Sequence, residues 1–115
     1  MDYRTLGRSG CAVSSLCLGT MTFGTETGEA GAHQQLGFVR AGKICYYGLS
    51  NFTGWQLTKA VYLARELNAA PPVTLQPQYS LLAREIEWEI VPAAADAGLG
   101  LLPWSPLGGG WPSGK

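Results

Sequence analysis

The chain has 115 residues, 46% of them hydrophobic, which is enough for one ordinary domain with a modest core. Eight basic and eight acidic residues cancel. A balance of this kind argues against the basic face that a nucleic acid or an anionic membrane requires.

No apolar run approaches the roughly 20 residues needed to span a bilayer. The start, Met-Asp-Tyr-Arg-Thr, lacks the apolar core of a signal peptide, so a cytoplasmic location is expected. Cys11, Cys17 and Cys45 are odd in number and fit no Cys-x-x-Cys metal or redox spacing. They are expected to be reduced thiols, two of them in strands, and no metal site is expected.

In chain order, Tyr3–Leu6 and Val13–Leu18 flank Gly7-Arg8-Ser9-Gly10 and predict a β-hairpin. The second arm runs on into Gly19–Gly24 as a buried strand that ends in a glycine-containing loop. Thr25–Gly31 is small and polar and predicts a loop. Ala32–Ala41 predicts part of a helix, closed by Gly42 as a cap with positive φ.

Tyr46–Phe52 predicts a short strand that stops at Ser50 and Asn51. Thr53–Leu67 follows as a helix with Leu57, Ala60, Val61, Ala64 and Leu67 on one apolar stripe. Asn68 is placed to cap it, and Pro71-Pro72 forbids continuation. Val73–Gln76 alternates as a strand, and Pro77 is expected to end its pairing.

Within Arg84–Ala97, Pro92 predicts an irregular first turn and a regular helix around Val91–Ala97, with Gly98 as cap. Glu85, Glu87 and Glu89 are spaced two apart and do not face one another on a helix. They are expected to be solvated acids near a helix N-terminus. Leu99–Trp104 is the last strand, and Ser105–Gly110 is a glycine-rich loop.

Strands joined by helical connections of these lengths run parallel, with right-handed crossovers. Ser50, Asn51, Gln76 and Ser105 then lie at one end of a parallel sheet, where ligands of α/β folds bind. Ser, Asn and Gln offer donors and acceptors without charge, which suits a neutral amide or hydroxyl. Trp104 can stack on a flat ring. Gly108, Gly109 and Gly110 let the backbone approach a ligand and present N–H groups to phosphate. Taken singly, Ser-Asn before a helix also reads as an N-cap, and a run of glycines as a plain loop. Neither a Gly-x-Gly-x-x-Gly nor a Walker motif is present.

Four stretches carry a resemblance. They are Gly19-Thr20-Met21-Thr22-Phe23-Gly24, Gly42-Lys43 through Gly48-Leu49-Ser50-Asn51-Phe52, Gln76-Pro77-Gln78-Tyr79-Ser80-Leu81-Leu82, and Pro103-Trp104-Ser105-Pro106-Leu107-Gly108-Gly109-Gly110. In this order they resemble the aldo/keto reductase family, in its bacterial, potassium-channel-β-like branch. The resemblance implies a (β/α)8 TIM barrel that reduces aldehydes or ketones with NADP(H) bound at the carboxyl ends of its strands. Ser50, Asn51 and Gln76 would hold the nicotinamide carboxamide, and Trp104 would stack on its ring. Ser105, Pro106, Leu107, Gly108 and Gly109 would line the pyrophosphate, and Thr20 and Met21 would touch the ribose.

The chain also departs from that pattern. The family's Asp, Tyr, Lys and His catalytic set belongs to strands two to four, and after Gly24 the sequence passes within a few residues to a segment resembling the helix before strand six. His33, the one histidine, reads as an exposed helix-start residue. Tyr46, Tyr47, Tyr62 and Tyr79 read as packing residues, and Lys43 and Lys59 as solvated. No catalytic residue is therefore assigned.

The expectation is an α/β partial barrel: a hairpin plus about four parallel strands resembling strands one, six, seven and eight, with a deletion junction near residues 24–32. NADP(H) affinity is expected to be weak, because the segment that grips the adenosine would follow the eighth strand. Isolated, the chain is expected to be inactive. The alternatives are a non-catalytic half-barrel that self-associates through open sheet edges, or a gene fragment without independent function.

Overall fold

A computed structural model describes residues 2–5, 12–14, 37, 41–42 and 44–114. It divides into two compact units, Met1–Tyr47 and Gly48–Lys115.

In the first unit, β1 (Tyr3–Thr5) and β2 (Ala12–Ser14) pair antiparallel, with Tyr3 opposite Ser14 and Thr5 opposite Ala12. The predicted hairpin is present, with its second strand starting one residue earlier than expected. The Ala41 N–H donates to Gly37 O (2.9 Å), and Gly42 has φ 68°, as a helix end closed by glycine requires. The tyrosine hydroxyl of Tyr3 lies 3.6 Å from Cys45 Sγ. Cys45 is exposed in a bend rather than in a strand, and is a free thiol. The rest of the predicted helix, the Gly19–Gly24 strand end and the 24–32 junction lie outside the described residues, as do Cys11, Cys17 and His33.

The second unit is a strand–helix–strand–helix–strand run. β3 (Gly48–Ser50), β4 (Thr74–Gln76) and β5 (Gly100–Leu101) form a parallel sheet in the order β3-β4-β5. Helix α1 (Gly54–Glu66) connects the first pair of strands, and α2 (Ile90–Asp96) the second. The register sets Leu49, Leu75 and Leu101 side by side, and Gly48, Thr74 and Gly100 side by side. Because side chains alternate along a strand, the leucine row faces the helices and the other rows face the opposite side.

The leucine row meets Leu57 and Val61 of α1, Ala94 of α2, and Leu99. Phe52, Ile90, Ala93 and Ala97 close the cluster. Leu57, Val61 and Ala64 are buried as the stripe predicts, but Leu67 is 64% exposed. It is the C-cap of α1, beyond the last turn that the core covers.

Both helices end the same way. The Asn68 N–H donates to Arg65 O (3.1 Å) and the Ala69 N–H to Ala64 O (2.8 Å), with Asn68 at φ 50°. The Gly98 N–H donates to Ala95 O (3.2 Å) and the Leu99 N–H to Ala94 O (2.8 Å), with Gly98 at φ 72°. This paired closure satisfies helix-end carbonyls and turns the chain back into the next strand. Pro92 sits in the first turn of α2, where its missing N–H forfeits no helical bond.

Several expectations are corrected. The strand expected over Tyr46–Phe52 is confined to Gly48–Ser50, because Asn51 turns to φ 54°. Pro77 interrupts pairing without ending it: Gln78 bridges in parallel to Trp104. A 3-10 turn at Glu85–Glu87 precedes α2, and a second 3-10 segment, Gly108–Ser113, follows the glycine-rich loop. Glu89 is not merely solvated: its Oε1 accepts from the Trp55 N–H (3.0 Å) at the start of α1. Gly54 makes this possible, since a Cβ there would lie 2.8 Å from Glu89 Oε1. An anion at a helix N-terminus satisfies an orphan donor and the helix dipole together.

Candidate functional site

The carboxyl ends of β3, β4 and β5 converge, and the side chains there differ in kind from the leucine row. Ser50 is opposite Gln76, the last register pair of the sheet. The carbonyl of Gln76 accepts twice, from the Ser50 Oγ hydroxyl (3.2 Å) and from the Asn51 N–H (3.2 Å). Asn51 then leaves the sheet in a left-handed conformation, which Asn tolerates better than most residues.

Trp104 enters from the far side. Its N–H donates to Pro77 O (2.9 Å), and its carbonyl accepts from the Tyr79 N–H (3.4 Å). Its indole Nε1–H donates to Asn51 Oδ1 (2.9 Å). The sequence predicts Asn51 and Ser105 at one end of the sheet, and Trp104 immediately precedes Ser105. The direct bond between them joins β3's end to β5's end, across β4.

Ser105 follows with φ 53°, a second non-glycine left-handed residue at this end. Gly108, Gly109 and Gly110 have φ of 51°, 70° and 93°. The Gly108 N–H donates to Ser105 O (2.9 Å) and the Gly110 N–H to Leu107 O (2.8 Å), so these two amides are engaged within the loop. Pro106, Leu107 and Gly109 are exposed. Thr20 and Met21 lie outside the described residues. Of the expected cofactor residues, Ser50, Asn51, Gln76 and Trp104 are brought together directly, and Ser105–Gly109 continue from Trp104 along the chain.

A groove of about 340 Å³ opens at this end. Asn51, Gln78 and Glu85 supply polar groups to it; Phe52, Ile86 and Trp104 are among its apolar walls. Gln78 was not singled out as a site residue. Its signal was the alternation Gln76-x-Gln78, which carries the strand across Pro77.

Below the groove, three side chains fix the turn that leads into α2. The Tyr79 hydroxyl donates to Glu87 Oε1 (2.6 Å), and Arg84 meets the same carboxylate with two nitrogens, each at 2.9 Å. Tyr79 is thus more than the packing residue expected. Ser80 Oγ accepts from the N–H groups of Leu82 and Ala83, both at 3.1 Å, and closes the turn. A Cβ on Gly108 would come within 3.2 Å of Leu82 Cδ1, so the glycine loop lies close against it.

The Arg84 guanidinium, then the Tyr79 hydroxyl, hold the Glu87 carboxyl below its ordinary range. The same bond to Glu87 pushes the Tyr79 phenol up. A carboxyl with a depressed folded-state pKa contributes stability above its unfolded-state pKa, and that contribution disappears as pH falls through the folded-state value. The urea midpoint should therefore fall on acidification through and below the usual carboxylate range, and Glu87→Gln should flatten that fall. The difference should shrink in high salt, because the pair is exposed. A difference between the two proteins that stays constant from neutral to acid pH would contradict this.

Among the described residues no group of three His, Cys, Asp or Glu side chains could hold a metal, and no helix is long and apolar enough to cross a membrane.

Compared with known proteins, residues 36–115 match the sequence profile of the aldo/keto reductase family. The uncharacterized oxidoreductase YrpG of Bacillus subtilis is 52% identical over 77 residues, 67% of this chain and 24% of YrpG. A probable voltage-gated potassium channel subunit beta of Oryza sativa is 39% identical over 75 residues, 64% of this chain and 23% of that protein. A probable aryl-alcohol dehydrogenase of Saccharomyces cerevisiae is 35% identical over 72 residues, 63% of this chain and 22% of that protein. The chain thus spans about a quarter of the length of the curated relatives it matches.

Proposed function

The chain belongs to the aldo/keto reductase family, and from that premise we propose that residues 48–114 form the nicotinamide end of an NADP(H) site for the reduction of small carbonyl compounds. Members of the family generally use NADP(H) and form a (β/α)8 barrel; the second unit has the form of a barrel segment, three parallel strands with their connecting helices. The observation that carries the reading is the meeting of Ser50, Asn51 and Trp104 at the carboxyl ends of those strands.

The donor set fits the cofactor. Ser50 and Asn51 are uncharged and can bond a carboxamide, Gln76 lies opposite Ser50, and Trp104 offers an aromatic face. The positive φ at Ser105, Gly108 and Gly109 bends the backbone sharply next to the indole, where the pyrophosphate would run. When bound, the cofactor supplies the hydride. The protein's part here is to bind and orient the ring; proton donation needs a group with a tuned pKa within reach, and no residue of this chain is assigned that role.

The same reading takes residues 1–115 as one partial reductase domain with a junction near 24–32, joined where the family's catalytic strands would otherwise stand. A genomic or transcript read across 24–32 tests that join.

Calorimetric titration with NADPH should give saturable binding that Asn51→Ala weakens, and a steady-state assay with a reactive aldehyde should show no turnover. Absence of binding would sink the cofactor reading. Turnover that Trp104→Ala abolishes would sink the non-catalytic part.

A second reading, an assembly module, draws on exposed apolar surface: Trp88 is 86% exposed and Trp111 79%. A relative named as a channel subunit beta is consistent with it. A strictly monomeric sedimentation profile at high concentration would count against it.

A further inference from the structure

We propose that Trp104 is a positioning residue for Asn51: its indole N–H fixes the Asn51 amide so that Ser50 and Asn51 present an acceptor beside a donor, a pair that takes a primary carboxamide in one orientation. This rests on the reading of the site given above and deepens it.

The chemistry of the indole sets the orientation. An indole N–H can only donate, so the amide atom 2.9 Å from it must be the oxygen, Oδ1. The amide Nδ2 is then turned the other way, and it has no hydrogen-bond partner among the described residues. Rotating the amide by half a turn would set N–H against N–H, so the orientation persists while the indole stays in place.

Both partners are anchored independently of any ligand. The backbone of Trp104 is tied to Pro77 O and to the Tyr79 N–H. The backbone of Asn51 is tied to Gln76 O, in a left-handed conformation at φ 54° that directs its side chain off the sheet end. Ser50 is polarised in the opposite sense: its hydroxyl proton is engaged by Gln76 O, so its Oγ lone pairs remain as acceptor. A primary carboxamide has the matching order, a carbonyl oxygen for Asn51 Nδ2 and an N–H for Ser50 Oγ. A carboxylate would turn a second acceptor onto the Ser50 lone pairs. Pre-setting the amide removes the ordering cost that binding would otherwise carry.

The test is a double-mutant cycle read by calorimetric titration with NADPH. Trp104→Phe keeps an aromatic ring and deletes the N–H. It should weaken binding roughly five- to tenfold where Asn51 is present, the scale of one net hydrogen bond, and have no effect in an Asn51→Ala background. An equal loss in both backgrounds would mean that the ring alone matters, and would overturn the proposal. If the unsubstituted chain binds no NADPH, the cofactor reading fails by itself, and proton NMR still decides the pin. The Trp104 indole N–H, identified by its loss in Trp104→Phe, should exchange more slowly than those of Trp88 and Trp111 and should shift in Asn51→Ala. An indole signal that Asn51→Ala leaves in place, or one that exchanges as fast as those of Trp88 and Trp111, would overturn it.

Discussion

Leu75→Ala should destabilise the chain by about 2–5 kcal/mol, the range for removing a large aliphatic side chain from a closed core. Leu75 is the middle residue of the middle strand and is fully buried. It touches the cluster that holds both helices, so the deleted atoms leave a space that no neighbour on either side is free to fill. A domain of this size has only about 5–15 kcal/mol of total stability. The variant should therefore lose a large share of its stability, read as a markedly lower midpoint in urea titration followed by circular dichroism. Leu81→Ala is the control: Leu81 is 76% exposed, and its loss should cost under about 0.5 kcal/mol. Equal midpoints for the two variants would contradict the placement of the core.

Gly48→Ala should be the most damaging single methyl in the sheet. A Cβ at Gly48 would overlap Thr74 Oγ1 and lie 3.1 Å from Thr74 O. The hydroxyl can rotate away, but the carbonyl belongs to the β4 backbone. β3 must shift, and Ser50 and Asn51 shift with it, since they follow two and three residues later. Overpacking of this kind costs about 1–3 kcal/mol. Two consequences should appear together: a lower urea midpoint and loss of NADPH binding. Adding Thr74→Ala removes the overlap with the hydroxyl but leaves the carbonyl, so it should restore only part of the midpoint. A second substitution that recovers nothing would place the strain elsewhere.

What sequence could convey about this molecule follows from how far apart the interacting residues are. The stripe Leu57, Val61, Ala64 was legible because one helix periodicity sets all of it, and Asn68 and Gly98 were legible because positive φ after a helix favours those residues. Leu67 continued the stripe in sequence yet is exposed, because the core ends one turn earlier; periodicity marks a face without saying how far its partner extends. The strand expected over Tyr46–Phe52 shrank to Gly48–Ser50, since the departure of Asn51 depends on its bond to Gln76 O and on the tryptophan beyond.

That Ser50, Asn51, Gln76 and Trp104 lie near one another was legible from strand ends and family resemblance together. Their hydrogen-bond directions were not, because the Asn51–Trp104 bond joins residues 53 positions apart. Glu89 shows the same limit. Its local setting suggested a solvated acid at the start of its own helix, whereas its carboxylate caps the other helix, 34 positions away. The Tyr79–Glu87–Arg84 cluster was hidden for a different reason: each residue has an ordinary local explanation, as packing, solvated acid and solvated base.

We propose that the nicotinamide end of NADP(H) binds at the strand ends bearing Ser50, Asn51 and Trp104. Saturation-transfer NMR on the chain mixed with NADPH tests it most directly, because it reports which part of the ligand touches protein even when binding is weak. The strongest transfer should go to the nicotinamide and its ribose, and it should be lost in Asn51→Ala. Transfer confined to the adenine, or none to any part of the ligand, would contradict it.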